Sequence, residues 1–479
     1  MEPKVVKDAE CSPNTPLIHG NLKKPIYGQG VEIEPLYPGK RETEYDKKIY
    51  LPKLLPLEEY DHIIVLFSAG KDSTAAYYCL RELGVPKEKI QIWHHDIDGG
   101  HPDRRMDWPT TQSYVEAFAE AEGIKKRISR RINGFWGEVY RIGASFPVEY
   151  EDDDGIFKTC KLTPKQQISQ TLRQQILDGV SGEENEALKQ YGCRRKFPAK
   201  SGDLNRRWCS AYLKIDVAGA VIRNLEALGK VKKFPAKGSI SNGRYCSPQL
   251  KREVADAVIR DLTQLQELGA REKFPAKASC HQGRWCSGAL KAQVQSGVMT
   301  DLEETREDTK ILIVSGERRG ESAGRAKYNE MEVHRTNATK RAHRLVHQWR
   351  IVIDYTERDI WEVLKRHRVN CHPCYRAGWN RCSCMLCIFS LPRHWAGIRE
   401  LFPDEFEAVC HDEEVLGFTL DNKKTLREYV GDASSCVCHE DPSAIEQLLT
   451  GQFTAKDIFV SGEWRFPAGA FRGAEGGPC

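Results

Sequence analysis

Three groups of residues in this 479-residue chain have types and spacing suited to chemistry. The hexapeptide Ser68-Ala69-Gly70-Lys71-Asp72-Ser73 puts two hydroxyls, an ammonium and a glycine directly after the apolar run His62–Phe67. A glycine lets the backbone approach an anion, successive amides can point at it, and a helix starting there adds positive potential. The spacing is not that of a GxxxxGK loop. The second group is Cys371-x2-Cys374-x9-Cys384-x2-Cys387, with Cys382 inside it. Two C-x2-C knuckles suit tetrahedral zinc and suit a four-iron cluster, and spacing alone leans slightly to zinc. The third group is a repeat. Lys-Phe-Pro-Ala-Lys occurs at 196–200, 233–237 and 273–277, followed each time by Arg-aromatic-Cys-Ser at Arg207–Ser210, Arg244–Ser247 and Arg284–Ser287. Each copy then carries Leu-Lys, ending at Lys214, Lys251 and Lys291.

The elements around these residues alternate. His62–Phe67 reads as a buried strand and Thr74 to about Leu83 as a helix stopped by Gly84. Ile90–Asp96 reads as a second strand and about Thr110 to Glu122 as a second helix. Thr163 followed by Pro164 opens a helix, and Lys310–Ser315 and Trp349–Asp354 read as later strands. This is the grammar of an α/β fold, a doubly wound parallel sheet. The repeats predict a helical insertion packed on that sheet, since three units are few for a free-standing solenoid.

On these motifs the chain resembles the PP-loop ATP pyrophosphatase superfamily, within it the phosphoadenosine phosphosulfate reductases. The hexapeptide is similar to the family's phosphate loop. Asp96 and Asp107-Trp-Pro-Thr-Thr111 resemble its nucleotide-side "D-T-G … P-E-T" segment. Arg284-Trp-Cys286-Ser-Gly-Ala-Leu-Lys291 resembles its substrate-binding R-W-C-T … L-K stretch, the third copy being nearest the next motif. That motif, Ser315-Gly-Glu-Arg318-Arg-Gly-Glu321-Ser322 with Arg325, resembles G-x-R-x-x-E-S … R. His372-Pro-Cys-Tyr-Arg-Ala-Gly378 through Phe389 resembles the run of members that hold an iron–sulfur cluster, as in the DNA phosphorothioation branch.

The resemblance implies binding of ATP with Mg2+, cleavage between the α and β phosphates, and transfer of sulfur to an adenylated substrate. Ser68 to Ser73 and Asp96 would hold the nucleotide, and Lys71, Asp72, Arg318 and Arg325 would act in catalysis. Arg284, Cys286, Lys291, Glu321 and Ser322 would meet the substrate. Glu321 can equally be an ordinary helix N-terminal carboxylate. Cys371, Cys374, Cys384 and Cys387 would hold a [4Fe–4S] cluster, which the resemblance favours over Zn2+, with Cys371 or Cys382 as the fourth ligand. A sulfur-donor protein such as a cysteine desulfurase would be a partner. A second reading is a phosphoadenosine phosphosulfate or adenylyl-sulfate reductase. Against it, the chain ends Gly-Gly-Pro-Cys479 rather than in an E-C-G-x-H segment, and no two cysteines are adjacent. A third is a metal-stapled nucleic-acid-binding module, which the intact loop opposes.

The net charge of +4 conceals a division. From Tyr191 to Thr300 there are 21 Lys/Arg against 8 Asp/Glu, and from Glu400 to Cys479 there are 6 against 16. The basic stretch suggests DNA or RNA as a partner, with the acidic end as a competitor, or simply solvated faces. Trp208 and Tyr245 would then be stacking platforms, or parts of a duplicated scaffold. Seventeen cysteines with no secretory h-region predict a cytoplasmic protein using metal or redox chemistry, not a disulfide framework. Cys410-His411 and Cys436-Val-Cys438-His439 are candidates for a second metal or for buried thiols. Apolar runs are too short for a membrane helix. The expected organisation is an arm (1–60), a nucleotide core in two parts (61–190 and 304–368), a basic repeat insertion (191–303), a cysteine module (369–410) and an acidic region (411–479).

Overall fold

The computed structural model describes residues 54–472, except 102, 142, 168, 171–195, 201–206, 226–307, 323, 340–342, 383 and 422. The second and third repeat copies and the arm's first 53 residues lie outside these. An eight-stranded sheet runs in the order β5-β4-β3-β2-β1-β6-β8-β7. Its centre is parallel. β1 (His62–Leu66) pairs with β2 (Ile90–Asp96) on one side and β6 (Thr309–Val314) on the other, and β2 pairs with β3 (Lys125–Arg131). β4 (Val148–Glu151), β5 (Phe157–Thr159) and β7 (Met331–Val333) are antiparallel to their neighbours, so the sheet is mixed where a wholly parallel one was expected. The central strands read as continuous apolar runs because both faces are covered. Ile63, Ile64, Val65, Leu312 and Val314 are all buried.

Helices α1 (Lys71–Glu82) and α2 (Thr111–Glu122) follow β1 and β2, and α2 stops at Gly123 in the left-handed region. α3 (Gly134–Val139) follows β3. The helix expected from Pro164 begins there, residues 164–167, 169 and 170 being helical, and then leaves the described residues. One strand is misplaced in the sequence reading. Trp349–Asp354 is not a strand; β8 is Arg344–Trp349, which pairs with β7. Ile351, Val352 and Ile353 are buried in the turn beyond it, an apolar run that burial alone makes strand-like.

The first repeat copy supplies a helical turn, Trp208–Ser210, a π-helical stretch, Ala211–Ile215, and α4 (Asp216–Asn224). After the sheet come α5 (Glu357–Arg366), opened by a Thr356/Asp359 capping box, α6 (Pro373–Arg376), α7 (Pro392–Leu401) and α8 (Pro403–Leu416). α9 (Leu426–Val430) and α10 (Pro442–Thr450) complete the chain's helices among the described residues. None of them is long and apolar enough to cross a membrane.

The chain divides into two compact units, Met1–Val221 with Ile311–Arg335 and His347–Cys479, and Ile222–Lys310 with Thr336–Val346. The second is knit by Arg344, which donates to the carbonyls of Ile222 and Thr336. In the first, the acidic C-terminal residues pack on the core. Trp464 Nε1 donates to Val369 O at 2.8 Å, and the hydroxyl of Ser113 donates to Gly451 O at 2.7 Å.

Candidate nucleotide and metal site

The parallel strands β1 and β6 end beside one another, which is where an open α/β sheet places its ligand crevice. β1 delivers the Ser68–Ser73 loop into the start of α1. Ala69 adopts φ +60°, a left-handed conformation that costs a non-glycine residue about 1 kcal/mol. The loop then braces itself. Ser68 N–H donates to Ser73 Oγ at 3.3 Å, and the hydroxyls of Ser73 and Thr74 donate to Gly70 O at 2.9 and 3.1 Å. From β6, Gly316 backs onto the same turn. A Cβ there would lie 2.6 Å from Asp72 C and 2.7 Å from Ser73 N, so no larger residue fits without displacing backbone.

Beneath the loop the charges are matched. Arg318, 3% exposed, donates Nε–H to Asp72 Oδ1, and Lys71 Nζ lies 3.4 Å from Asp72 Oδ2. Burial would push the Asp72 carboxyl up, but Lys71 and Arg318 together hold it below its ordinary value. Lys71 is itself buried, its ammonium 5.6 and 6.0 Å from the ring centroids of Tyr375 and Trp361. Sequence reasoning assigned Lys71 and Arg318 as cations for phosphate; the structure sets both under the loop against Asp72. Glu321 accepts the Arg318 backbone N–H at 2.9 Å and pairs with Arg325, as an orienting carboxylate would. Burial, then the Asp72 charge, raise its carboxyl. Ser322 Oγ accepts the Arg325 N–H at 3.2 Å. Asp96, at the end of β2, accepts the N–H groups of Asp98 and Gly99, so one of its oxygens is spent on its own turn.

The cysteine segment lies against the loop. A Cβ at Gly70 would be 3.5 Å from both Cys382 O and Tyr375 Oη, ordinary contact distances. Tyr375, in α6, accepts the Lys71 backbone N–H at 3.1 Å. The thiols divide into two sets. His372, Cys374 and Cys382 bring their ligand atoms within 4.8 Å of one another. Two thiolates on one tetrahedral zinc are about 4 Å apart, so this set is as compact as a single-ion site. His372 is wholly buried. Its Nδ1 accepts the Cys374 N–H at 3.3 Å, and its Nε2 has no hydrogen-bond partner among the described residues. With Nδ1 accepting, a neutral ring carries its proton on Nε2. A ligating histidine instead donates from its non-ligating nitrogen. His372 therefore fits better as a donor to a thiolate than as a metal ligand. Cys382 is held well below the usual thiol range, chiefly by hydrogen bonding from Cys374 and by His372.

The second set is Cys384 and Cys387, closed into a knuckle by Cys387 N–H donating to Cys384 O at 3.2 Å. Burial pushes the Cys384 thiol up. Cys371 is buried on the side of Cys374 and Cys382. Burial raises it to about 12, and it lines an outward cavity of about 530 Å³ with Arg376, Cys438 and Trp464. Sulfur donors in this number fit a thiolate-held metal centre. Among the described residues, Cys410 and Cys436 are buried thiols and His439 bonds Glu400, with no second group of metal-ligating atoms.

The first repeat copy enters this site. Trp208 stacks on Phe135, with centroids 5.3 Å apart, and the Arg207 guanidinium lies 5.9 Å from the Phe389 ring centroid. The π-helical stretch Ala211–Ile215, bonded i to i+5, begins two residues after Cys209 and carries Lys214. Lys214 is exposed, and its ammonium is held up by Cys384 first, then by Asp107, Cys209 and Cys387. Arg284, Cys286 and Lys291, the copy expected here, lie outside the described residues. Residue type could not separate three matching copies. Asp107 is a further group of the site; burial, then Asp98, raise its carboxyl well above the usual range.

Residues 257–389 match the family model of the phosphoadenosine phosphosulfate reductase domain. The matched stretch contains the third repeat copy, the Gly316 motif and the cysteine segment; the Ser68–Ser73 loop precedes it. The chain is also similar to an uncharacterized 37.8 kDa protein of Escherichia phage 186, 27% identical over 107 residues. That match covers 22% of this chain and 30% of the phage protein, so the chain aligns with less than a third of that relative.

Proposed function

The chain belongs to the phosphoadenosine phosphosulfate reductase family of the PP-loop superfamily, and on that premise we propose that it adenylates a substrate with ATP and supports sulfur transfer to it. The observation that carries this reading is the loop itself, a self-braced turn between a parallel strand and a helix N-terminus, closed from behind by Gly316. Its amides and the α1 N-terminus suit the leaving pyrophosphate, and Mg2+ would neutralise the remaining phosphate charge. An acceptor oxygen attacks the α phosphorus, the bond to the bridging α–β oxygen breaks, and pyrophosphate leaves. A sulfur nucleophile then displaces AMP from the adenylated acceptor. Lys71 and Arg318 keep Asp72 ionised and the loop in shape. Lys214, exposed beside Asp107, offers the cation for the acceptor's anionic group.

The thiols of Cys374, Cys382, Cys384 and Cys387 suit a bound metal centre, which we read as an iron–sulfur cluster. Such a cluster would supply iron for holding or delivering sulfur. Nucleic acid is the acceptor we favour, through the basic repeats, with a cysteine desulfurase-type protein as sulfur donor. A reductase is the alternative reading.

The test is pyrophosphate and AMP release from ATP and Mg2+ by the anaerobically purified protein, with and without DNA or RNA. Release that rises at least tenfold with one nucleic acid supports the reading. Nucleotide binding without release under any of these conditions overturns adenylation.

A further inference from the structure

We propose that Cys209 of the first repeat copy is a ligand of the metal centre, alongside Cys384 and Cys387. The inference rests on the metal-centre reading above and adds a residue that neither the C-x2-C spacing nor the family match selects. Cys209 is more than 160 residues from the cysteine segment in sequence, yet the fold carries it there.

The placement is geometric. Arg207, two residues before Cys209, sets its guanidinium 5.9 Å from the ring centroid of Phe389, two residues after Cys387. On the other flank, Trp208 is locked by stacking on Phe135, and the π-helical stretch that follows packs against β2 and β3. The Cys384–Cys387 knuckle is tied to that side as well, through Leu386 N–H donating to Met106 O at 3.1 Å. Cys209 and Cys384 both pack, half-buried, on the main core.

The chemistry agrees with the placement. Cysteine sulfurs are the donors an iron–sulfur cluster takes, and thiols ionise outright on coordination. The ligands of a polynuclear cluster each bind a different iron, so they stand farther apart than the compact His372, Cys374 and Cys382 group.

Every copy of the repeat has the same Cys and Lys at the same offset, so the experiment separates the copies. The full chain is purified anaerobically as wild type and as Cys209→Ser, Cys246→Ser and Cys286→Ser, then assayed for iron, sulfide and zinc with a visible spectrum. Cys209→Ser is expected to lose at least half of the metal per chain and to change the spectrum, while the other two match wild type. Metal retained in Cys209→Ser overturns the proposal, as does loss in Cys286→Ser alone or equal loss in all three. A wild-type protein that holds neither iron nor zinc overturns the metal centre itself, a different failure. If Cys209→Ser does not fold, thiol alkylation of the wild type decides. Cys209 should be protected when metal is bound and reactive after chelation, and equal labelling in both states overturns the proposal.

Discussion

The Ser68–Ser73 loop and the cysteine segment touch at Gly70, Cys382 and Tyr375, yet they are held by opposite means. At the loop the buried charges are balanced: Asp72 lies between Lys71 and Arg318, and the hydroxyls close on backbone within the turn. In the cysteine segment like groups crowd together. Cys374, Cys382, Cys384 and Cys387 share Lys214 and the N–H groups around His372. A region with balanced charge holds its shape before a ligand arrives, whereas a region of crowded thiols is completed by a cation. Nucleotide affinity should therefore depend on loop geometry, and the stability of the cysteine segment on bound metal.

The largest effect that separates the two regions is expected from Cys384→Ser with Cys387→Ser. Metal should be lost entirely and the melting temperature should fall, because binding energy in such sites is folding energy. ATP affinity should stay within a few-fold of wild type by calorimetry. Loss of both together would mean that the regions form one site energetically.

Next in size is Arg318→Ala. Removing one partner of a buried ion pair costs about 3–5 kcal/mol, since it strands the other charge. Denaturant unfolding should show most of that, and Asp72→Asn in the Arg318→Ala background should recover part of it. Asp72 is held below its unfolded value, so its contribution is present above the ordinary carboxylate range and is lost as pH falls through it. In Arg318→Ala this acid-side loss should shrink.

Asp98 gives the opposite sign. Burial first, and Asp96 among the lesser causes, raise its carboxyl to about 6, while its Oδ1 accepts the N–H groups of Met106 and Asp107. The folded state therefore favours protonated Asp98. That stability is full below about pH 4 and declines as pH rises toward about 6, by roughly 2–3 kcal/mol at about 1.4 kcal/mol per unit. Asp98→Asn keeps the accepting oxygen and should flatten the slope between those pH values. An unchanged slope would assign it to another carboxyl, such as Asp107.

What was legible in the sequence follows the range of the interactions. The loop could be read because its chemistry is contiguous: a buried strand, six residues and a helix start, each with a local signature. The edges of the sheet could not, since β4, β5 and β7 are short and their direction is set by partners elsewhere in the chain. The strand expected at Trp349–Asp354 failed for a related reason: Ile351–Ile353 are buried by packing rather than by pairing. The cysteines could be counted, but their division into two sets depends on how the chain folds back at His372. The C-terminal residues looked like an acidic competitor for a basic groove. Charge counting missed the contacts that pin them, such as Trp464 on Val369 and Asn370 Nδ2 on Asp457 O at 2.8 Å.

The smallest effect bears on the join between the regions. Tyr375 follows Cys374, its hydroxyl accepts the Lys71 backbone N–H, and its carbonyl accepts the Gly469 N–H at 2.8 Å. A Cβ at Gly469 would lie 1.9 Å from Trp379 O, so the C-terminal segment approaches this helix as closely as backbone can. Tyr375→Phe keeps the ring and leaves the Lys71 N–H without that acceptor, at a cost of about 1–2 kcal/mol. Because that amide opens α1 beside the phosphate cradle, ATP affinity should fall about five- to tenfold while metal content stays at the wild-type level. A rise in affinity would mean instead that the hydroxyl occupies an amide the phosphate needs. The cysteine segment would then compete with the nucleotide for the loop rather than brace it.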